Sequence, residues 1–139
     1  MDAAEAWARL ASARVARLAT HNPTGEVDLV PITFAVIDAT TIVSAVDHKP
    51  KRTMRLQRLA NIRAEASVTL LVDHYDDDWS ALWWVRARGR ATVVEPDSRA
   101  HERAVAALVA KYQQYRDRPP AGPALVVEVT EITGWAAAG

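Results

Sequence analysis

A chain of 139 residues, half of them hydrophobic and about a quarter charged, has the composition of one folded globular domain (residues 1–139). Its core is small enough to gain from burial shared between subunits. Seventeen basic and seventeen acidic residues cancel, so the whole chain offers no strong attraction to nucleic acid, and the absence of cysteine excludes disulfides, a thiolate nucleophile and thiolate metal sites.

The N-terminal "MDAAEAWARLASARVARL" carries charge throughout, unlike a signal peptide, and no segment approaches the ~20 apolar residues of a membrane span. The expectation is a soluble, cytoplasmic protein. "DAAEAWARLASAR" reads as an amphipathic helix, with Trp7, Leu10 and either Ala13 or Arg14 at helical spacing and Asp2 and Glu5 at its positive end. A strand "VARLAT" and a turn "HNPTGE" follow. "VDLVPITFAVI" resumes strand character, and its Pro31 requires an edge, a bulge or a special register. "DATTIVSAV" is a further turn and strand.

From Lys51 to Ile62 the pattern becomes helical. Leu59 points inward with Met54 or Leu56 and with Ala60 or Ile62, while Arg52, Arg55 and Arg58 recur every third residue on another side. "ASVTLLVDHY" is a strand, "DDDW" a charged connection, and "SALWWVRARGRATVVE" the longest strand. There Val85, Ala87, Gly89 and Ala91 share one face and Arg86, Arg88, Arg90 and Thr92 the other; Gly89 marks a bend or a close backbone approach. "PDSRAHERAVAALVAKYQQY" is a helix with Asp97 or Ser98 as its cap, and "ALVVEVTEITGWAA" closes the chain as a strand. About six strands and three helices, dominated early by hairpins, predict a mainly β protein: a small antiparallel or mixed barrel with peripheral helices.

Most routes to chemistry are closed by pattern. The histidines His21, His48, His74 and His101 stand in different elements without ligand spacing. The acids Asp73, Asp76, Asp77 and Asp78 miss the calcium-loop pattern and read as surface loop. No serine lies in a nucleophile elbow, and there is no Walker loop. The positive signal is "HKPKRTMRLQRLANIR", with six Lys or Arg and no acid. Lys49, Lys51 and Arg52 fall where a strand becomes a helix, a junction able to hold an anion on cationic side chains and backbone N–H groups; an ordinary solvated face has similar weight. A nucleic-acid surface is disfavoured by the acids that follow and by the lack of any accompanying fingerprint. Trp79, Trp83 and Trp84 cluster, with Trp135 near the C-terminus. They suggest an aromatic wall or a dimer surface beside simple packing.

In their order and spacing, "VPITFAV", "DHKPKRTMRLQRLANI", "LLVDHYDDDW" and "WWVRARGRA" resemble the flavin and deazaflavin oxidoreductases of the pyridoxamine-phosphate-oxidase-like class. They are most similar to its small F420-dependent branch, and the likeness runs from about Arg14 to Trp135. The resemblance implies a split β-barrel homodimer with a cofactor at each of two sites across the subunit interface. It places the phosphate contacts on Lys51 and Arg52 with Lys49 close by, backbone contacts to the ring at Ala45 and Val46, and further contacts at Pro31 and Thr33. Trp79, Trp83 and Trp135 would line the pocket or interface, and Arg55 and Arg58 would extend a basic groove. The flavin-using oxidases carry an Arg and a Lys on the second strand, where this chain has "DLVPIT"; that departure favours coenzyme F420 over FMN. The implied function is hydride transfer between F420 and a small organic substrate. The alternatives are an FMN-dependent enzyme of the same fold and a non-catalytic F420-binding, carrier or sensor protein. Neither a metal nor a catalytic side chain is implied.

Overall fold

The structure, a computed structural model, describes residues 1–46 and 52–138, with the side chains of residues 52–56 outside that description. In chain order the elements are α1 (Ala3–Ser12), β1 (Ala16–His21), β2 (Val27–Ile32), β3 (Ala35–Ile37), β4 (Thr41–Ala45), α2 (Arg52–Ala64), β5 (Ser67–His74), a 3-10 turn (Trp79–Ala81), β6 (Trp83–Val94), α3 (Arg99–Lys111), α4 (Gln113–Asp117) and β7 (Ala124–Ala136). The strands form one antiparallel sheet in the order β2-β1-β5-β6-β7-β4-β3.

That order explains the seventh strand. The expected strand from Val27 to Ile37 divides at Thr33 and Phe34: β2 pairs with β1 at one edge of the sheet, and β3 pairs with β4 at the other. Ile32 and Ala35 are three residues apart, so the two edges lie within roughly 10–11 Å at that point. The sheet must therefore curl into an open barrel, and the expected split barrel is borne out. Pro31 sits on edge strand β2 opposite Arg17, where its missing N–H costs no central ladder bond.

The barrel interior collects Leu18, Ile32, Phe34, Ile42, Leu70, Val72, Val85 and Leu125, together with Leu10 of α1 and Leu59 and Ile62 of α2. Ile62, rather than Ala60, takes the inward position. A second cluster lies outside the sheet, where Val43, Ala45 and Ala124 meet Ala104, Leu108, Tyr112 and Tyr115 of the α3–α4 region. Strand β4 is consequently buried on both faces, which accounts for a run that is apolar or β-branched except at Ser44. On β6 the expected alternation holds, with Val85, Ala87, Gly89 and Ala91 buried. Arg88 faces Glu131 and Gly89 faces Val129, so Thr130 is an extra residue in β7. At this bulge a Cβ on Gly89 would run into the Glu128 carbonyl.

The structure selects Ser98 from the two expected caps and corrects one expected helix. Ser98 caps α3, its Oγ accepting from the His101 N–H at 3.1 Å, while Asp97 takes a left-handed backbone (φ 77°) in the preceding turn. The last long helix is interrupted at Tyr112, whose extended backbone (φ −116°, ψ 122°) separates α3 from α4. No helix among the described residues is long and apolar enough to cross a membrane.

Candidate cofactor site

The crossing from β2 to β3 is where the site is built. Ser44 Oγ donates to the Thr33 carbonyl at 2.7 Å, which fixes the backbone of that residue from the neighbouring strand. The Thr33 hydroxyl is 2.7 Å from that of Tyr115. At the next residue the Tyr112 hydroxyl accepts from the Phe34 N–H at 3.1 Å. It reaches the carbonyls of Arg14 (2.9 Å) and Phe34 (3.0 Å) with its own proton. Burial pushes the Tyr112 phenol above its ordinary pKa. The Arg14 guanidinium lies over the Tyr112 ring at 4.7 Å, and the Tyr115 ring meets Tyr112 edge-on at 5.6 Å.

These contacts frame a cavity of about 230 Å³ lined by Val15, Pro31, Ile32, Thr33, Ala45, Arg58 and Tyr115. Four residues proposed from sequence are thus brought together: Pro31 of β2, Thr33 of the crossing, Ala45 of β4 and Arg58 of α2. Val46 is not among the lining residues: it packs in the barrel interior, and its N–H is donated to the Pro123 carbonyl at 3.3 Å. Lys49 and Lys51 lie outside the described residues. Arg52 and Arg55 belong to α2, with side chains outside the description.

Arg58 also lines a neighbouring cavity of about 290 Å³ with Thr20, Asn22, Asp28, Leu29, Val30 and Gln57, so the two spaces adjoin along α2. A hydrogen-bonded network backs it. The fully buried Asn61 donates to Asp28 Oδ2 at 2.7 Å and to Thr20 Oγ1 at 3.0 Å, and receives a bond from Gln57 at 2.7 Å. Asn22 adds a second bond to Asp28 Oδ2 at 3.0 Å. The Asn61 and Asn22 amides hold the Asp28 carboxyl below its ordinary pKa.

Trp83 and Trp135 meet elsewhere, at a cavity of about 450 Å³ shared with Leu71, His74, Trp84 and Arg86. Trp84 faces Asp73 on one side and Trp135 on the other across the sheet, and the Arg86 guanidinium lies over its ring at 5.5 Å. Trp83 stacks on His74 at 6.2 Å and carries Arg9 at 5.1 Å. Trp79 lines none of these three cavities and is 68% exposed, standing on the 3-10 turn that Asp78 caps through the Ser80 N–H and hydroxyl. The acidic loop thus spends Asp76 and Asp78 on its own backbone. Sequence reasoning missed Tyr115, Tyr112 and Asn61. "KYQQY" read only as the end of a helix, and a lone Asn in a basic helix carries no signal of burial.

The first cavity has apolar walls at Val15, Pro31 and Ala45, and hydroxyl and guanidinium groups at Thr33, Tyr115 and Arg58. That donor set fits the polar edge of a flat heteroaromatic ring, and the adjoining space offers room for a substituent.

Solved structures share this architecture. A conserved hypothetical protein of Mycobacterium tuberculosis superposes with a TM-score of 0.78 at 21% identity, covering 99% of this chain and 86% of that one. A protein of Mesorhizobium loti described as FAD-binding gives 0.71 at 20% identity, with 96% and 94% covered. The FAD binding protein of Mycobacterium smegmatis gives 0.63 at 24% identity, with 97% and 94% covered. No curated protein matches the chain. Residues 3–136 match the pyridoxamine 5'-phosphate oxidase family, and to that family of oxidoreductase and cofactor-binding split barrels the chain belongs.

Proposed function

We propose that this chain is a cytoplasmic, homodimeric oxidoreductase that uses the deazaflavin coenzyme F420 to exchange a hydride with a small unsaturated or heteroaromatic substrate. The observation that carries the reading is the convergence of Pro31, Thr33 and Ala45 on one cavity along α2, the helix that follows the basic run. In sequence, Lys49 and Lys51 stand between β4 and α2, which Arg52 opens, and these three cations would hold the phosphodiester of the coenzyme. The bound deazaflavin would supply two-electron hydride chemistry. The residues of the chain would orient its ring, grip its anionic arm and exclude water. Strand β2 presents a carboxylate, Asp28, and no cation, which disfavours a terminal phosphate dianion on that side.

In this reading the partner copy would cover the outer sheet face around Leu71, Tyr75, Trp84 and Trp135, with Trp135 45% exposed, and the exposed Trp79. A flavin is the second reading, favoured by the two FAD-binding proteins of the same fold. A binder without turnover is the third, and only an assay of turnover separates it from an enzyme.

Titration of the purified protein with oxidised F420, FMN and FAD tests the cofactor. F420 preference is expected, with Lys51→Ala and Arg52→Ala each weakening it about 10- to 100-fold, the worth of one charge-assisted bond. Tight flavin binding with no F420 affinity would sink the proposal. Mass measurement in solution tests the dimer separately.

A further inference from the structure

We propose that Tyr115 is the residue that reads the polar edge of the bound ring, acting as a hydroxyl pair with Thr33. The inference rests on the cofactor reading above and adds to it a residue from a helix remote in sequence. A tyrosine on a five-residue helix has little of its own to hold it in place, yet here α4 is fastened to the β2–β3 crossing at two successive residues. Phe34 holds Tyr112 through its backbone N–H and carbonyl, and Thr33 holds Tyr115 through its hydroxyl. Ser44 secures the Thr33 carbonyl from behind. Tyr115 is only 8% exposed, and it lines the cavity beside Pro31, Ala45 and Arg58. The pair is therefore set before any ligand arrives, which lowers the cost of ordering it on binding.

The chemistry of the pair selects the ligand class. A hydroxyl both donates and accepts, so the pair suits a carbonyl, a ring nitrogen or a ring N–H on the edge of a ligand. It has no net charge, so it recognises the alternating acceptors and donors along a planar heteroaromatic edge rather than a phosphate. Recognition of the ring and recognition of the anionic arm would then fall to different elements: Thr33 and Tyr115 for the first, the basic run before α2 for the second.

The test compares wild type with Tyr115→Phe, Thr33→Val and the double variant, using oxidised F420 and riboflavin (a ring without phosphate) as probes. Kd comes from fluorescence quenching, the absorption maximum of the bound ring is recorded, and thermal unfolding is followed alongside. Each single variant is expected to weaken both probes about 3- to 10-fold, as for one neutral hydrogen bond, and to shift the absorption maximum. The double variant should be little worse than either single one, because both singles break the same pair. If unfolding temperature falls while Kd and spectrum stay at wild-type values, the pair only staples α4 and the inference is overturned. A wild-type protein that binds neither probe overturns the cofactor reading itself and this inference with it.

Discussion

Tyr112 and Phe34, 78 residues apart in the chain, are joined twice: the tyrosine hydroxyl accepts the Phe34 N–H at 3.1 Å and stands 3.0 Å from the Phe34 carbonyl. Phe34 is fully buried at the point where the chain passes from one edge of the sheet to the other. One side chain thus satisfies the backbone of the crossing that a continuous strand would have satisfied with a neighbour.

Tyr112→Phe keeps the ring and removes that service, leaving a buried N–H without its partner. A loss of about 1–3 kcal/mol of stability is expected. Urea unfolding with an unchanged slope would show it. A change within a few tenths of a kcal/mol would mean that water replaces the hydroxyl.

Gly89→Ala places a Cβ against the Glu128 carbonyl at the β6–β7 bulge, where backbone cannot yield cheaply. We expect about 1–3 kcal/mol of destabilisation. Gly122→Ala is the control, since a Cβ there meets nothing within 4 Å and the unfolded chain loses freedom. Thermal unfolding of the two variants should separate them clearly.

Lys111 donates to the Ala13 carbonyl at 2.7 Å and lies 3.9 Å from the centre of the Phe34 ring. Burial, with the Arg14 charge beside it, lowers its pKa from 10.5 to about 8. Between those values the unfolded chain holds the proton and the folded chain does not, so the contribution of Lys111 to stability rises with pH through that window. The stability difference between wild type and Lys111→Met should therefore shift in favour of wild type from about pH 8 to pH 10.5, the span of that window. A difference that is flat across the range would contradict the assignment.

Asp28 gives the same sign of slope in an acid window, because its folded pKa is also lowered. Its carboxyl is held below the ordinary value by the Asn61 and Asn22 amides, so the stability it contributes is present above 3.8 and is lost as pH falls through the lower folded pKa. Asn61→Ala removes the larger cause and the bond to Thr20. NMR titration of the Asp28 carboxyl should show its midpoint moving up toward 3.8 in the variant. An unmoved midpoint would assign the shift to Asn22.

Much of the barrel was legible because its signals are local. The alternation on β6 reports which face is buried, and Gly89 within it announces a close approach, since only the residue without a Cβ fits there. Pro31 declared an edge by lacking a donor. What periodicity cannot carry is the identity of a strand's partner. "VDLVPITFAVI" has one pattern throughout and still serves two opposite edges, because the break at Thr33 and Phe34 is set by the curl of the whole sheet. "KYQQY" is likewise helical by propensity, and the extended Tyr112 within it is held by bonds to Arg14 and Phe34 that no window of sequence contains.

The candidate site divides in the same way. The residue order alone determined a mainly β chain and a basic run before a helix, and its family resemblance named Pro31, Thr33 and Ala45 among the expected contacts. Only the tertiary structure decided that these three share a cavity with Arg58 and Tyr115, and that a buried Asn61 pins Asp28 beside it. The physical reason is distance along the chain: Tyr115 reaches Thr33 across 82 residues, and such a contact exists only once the sheet has curled to bring α4 against its crossing strand.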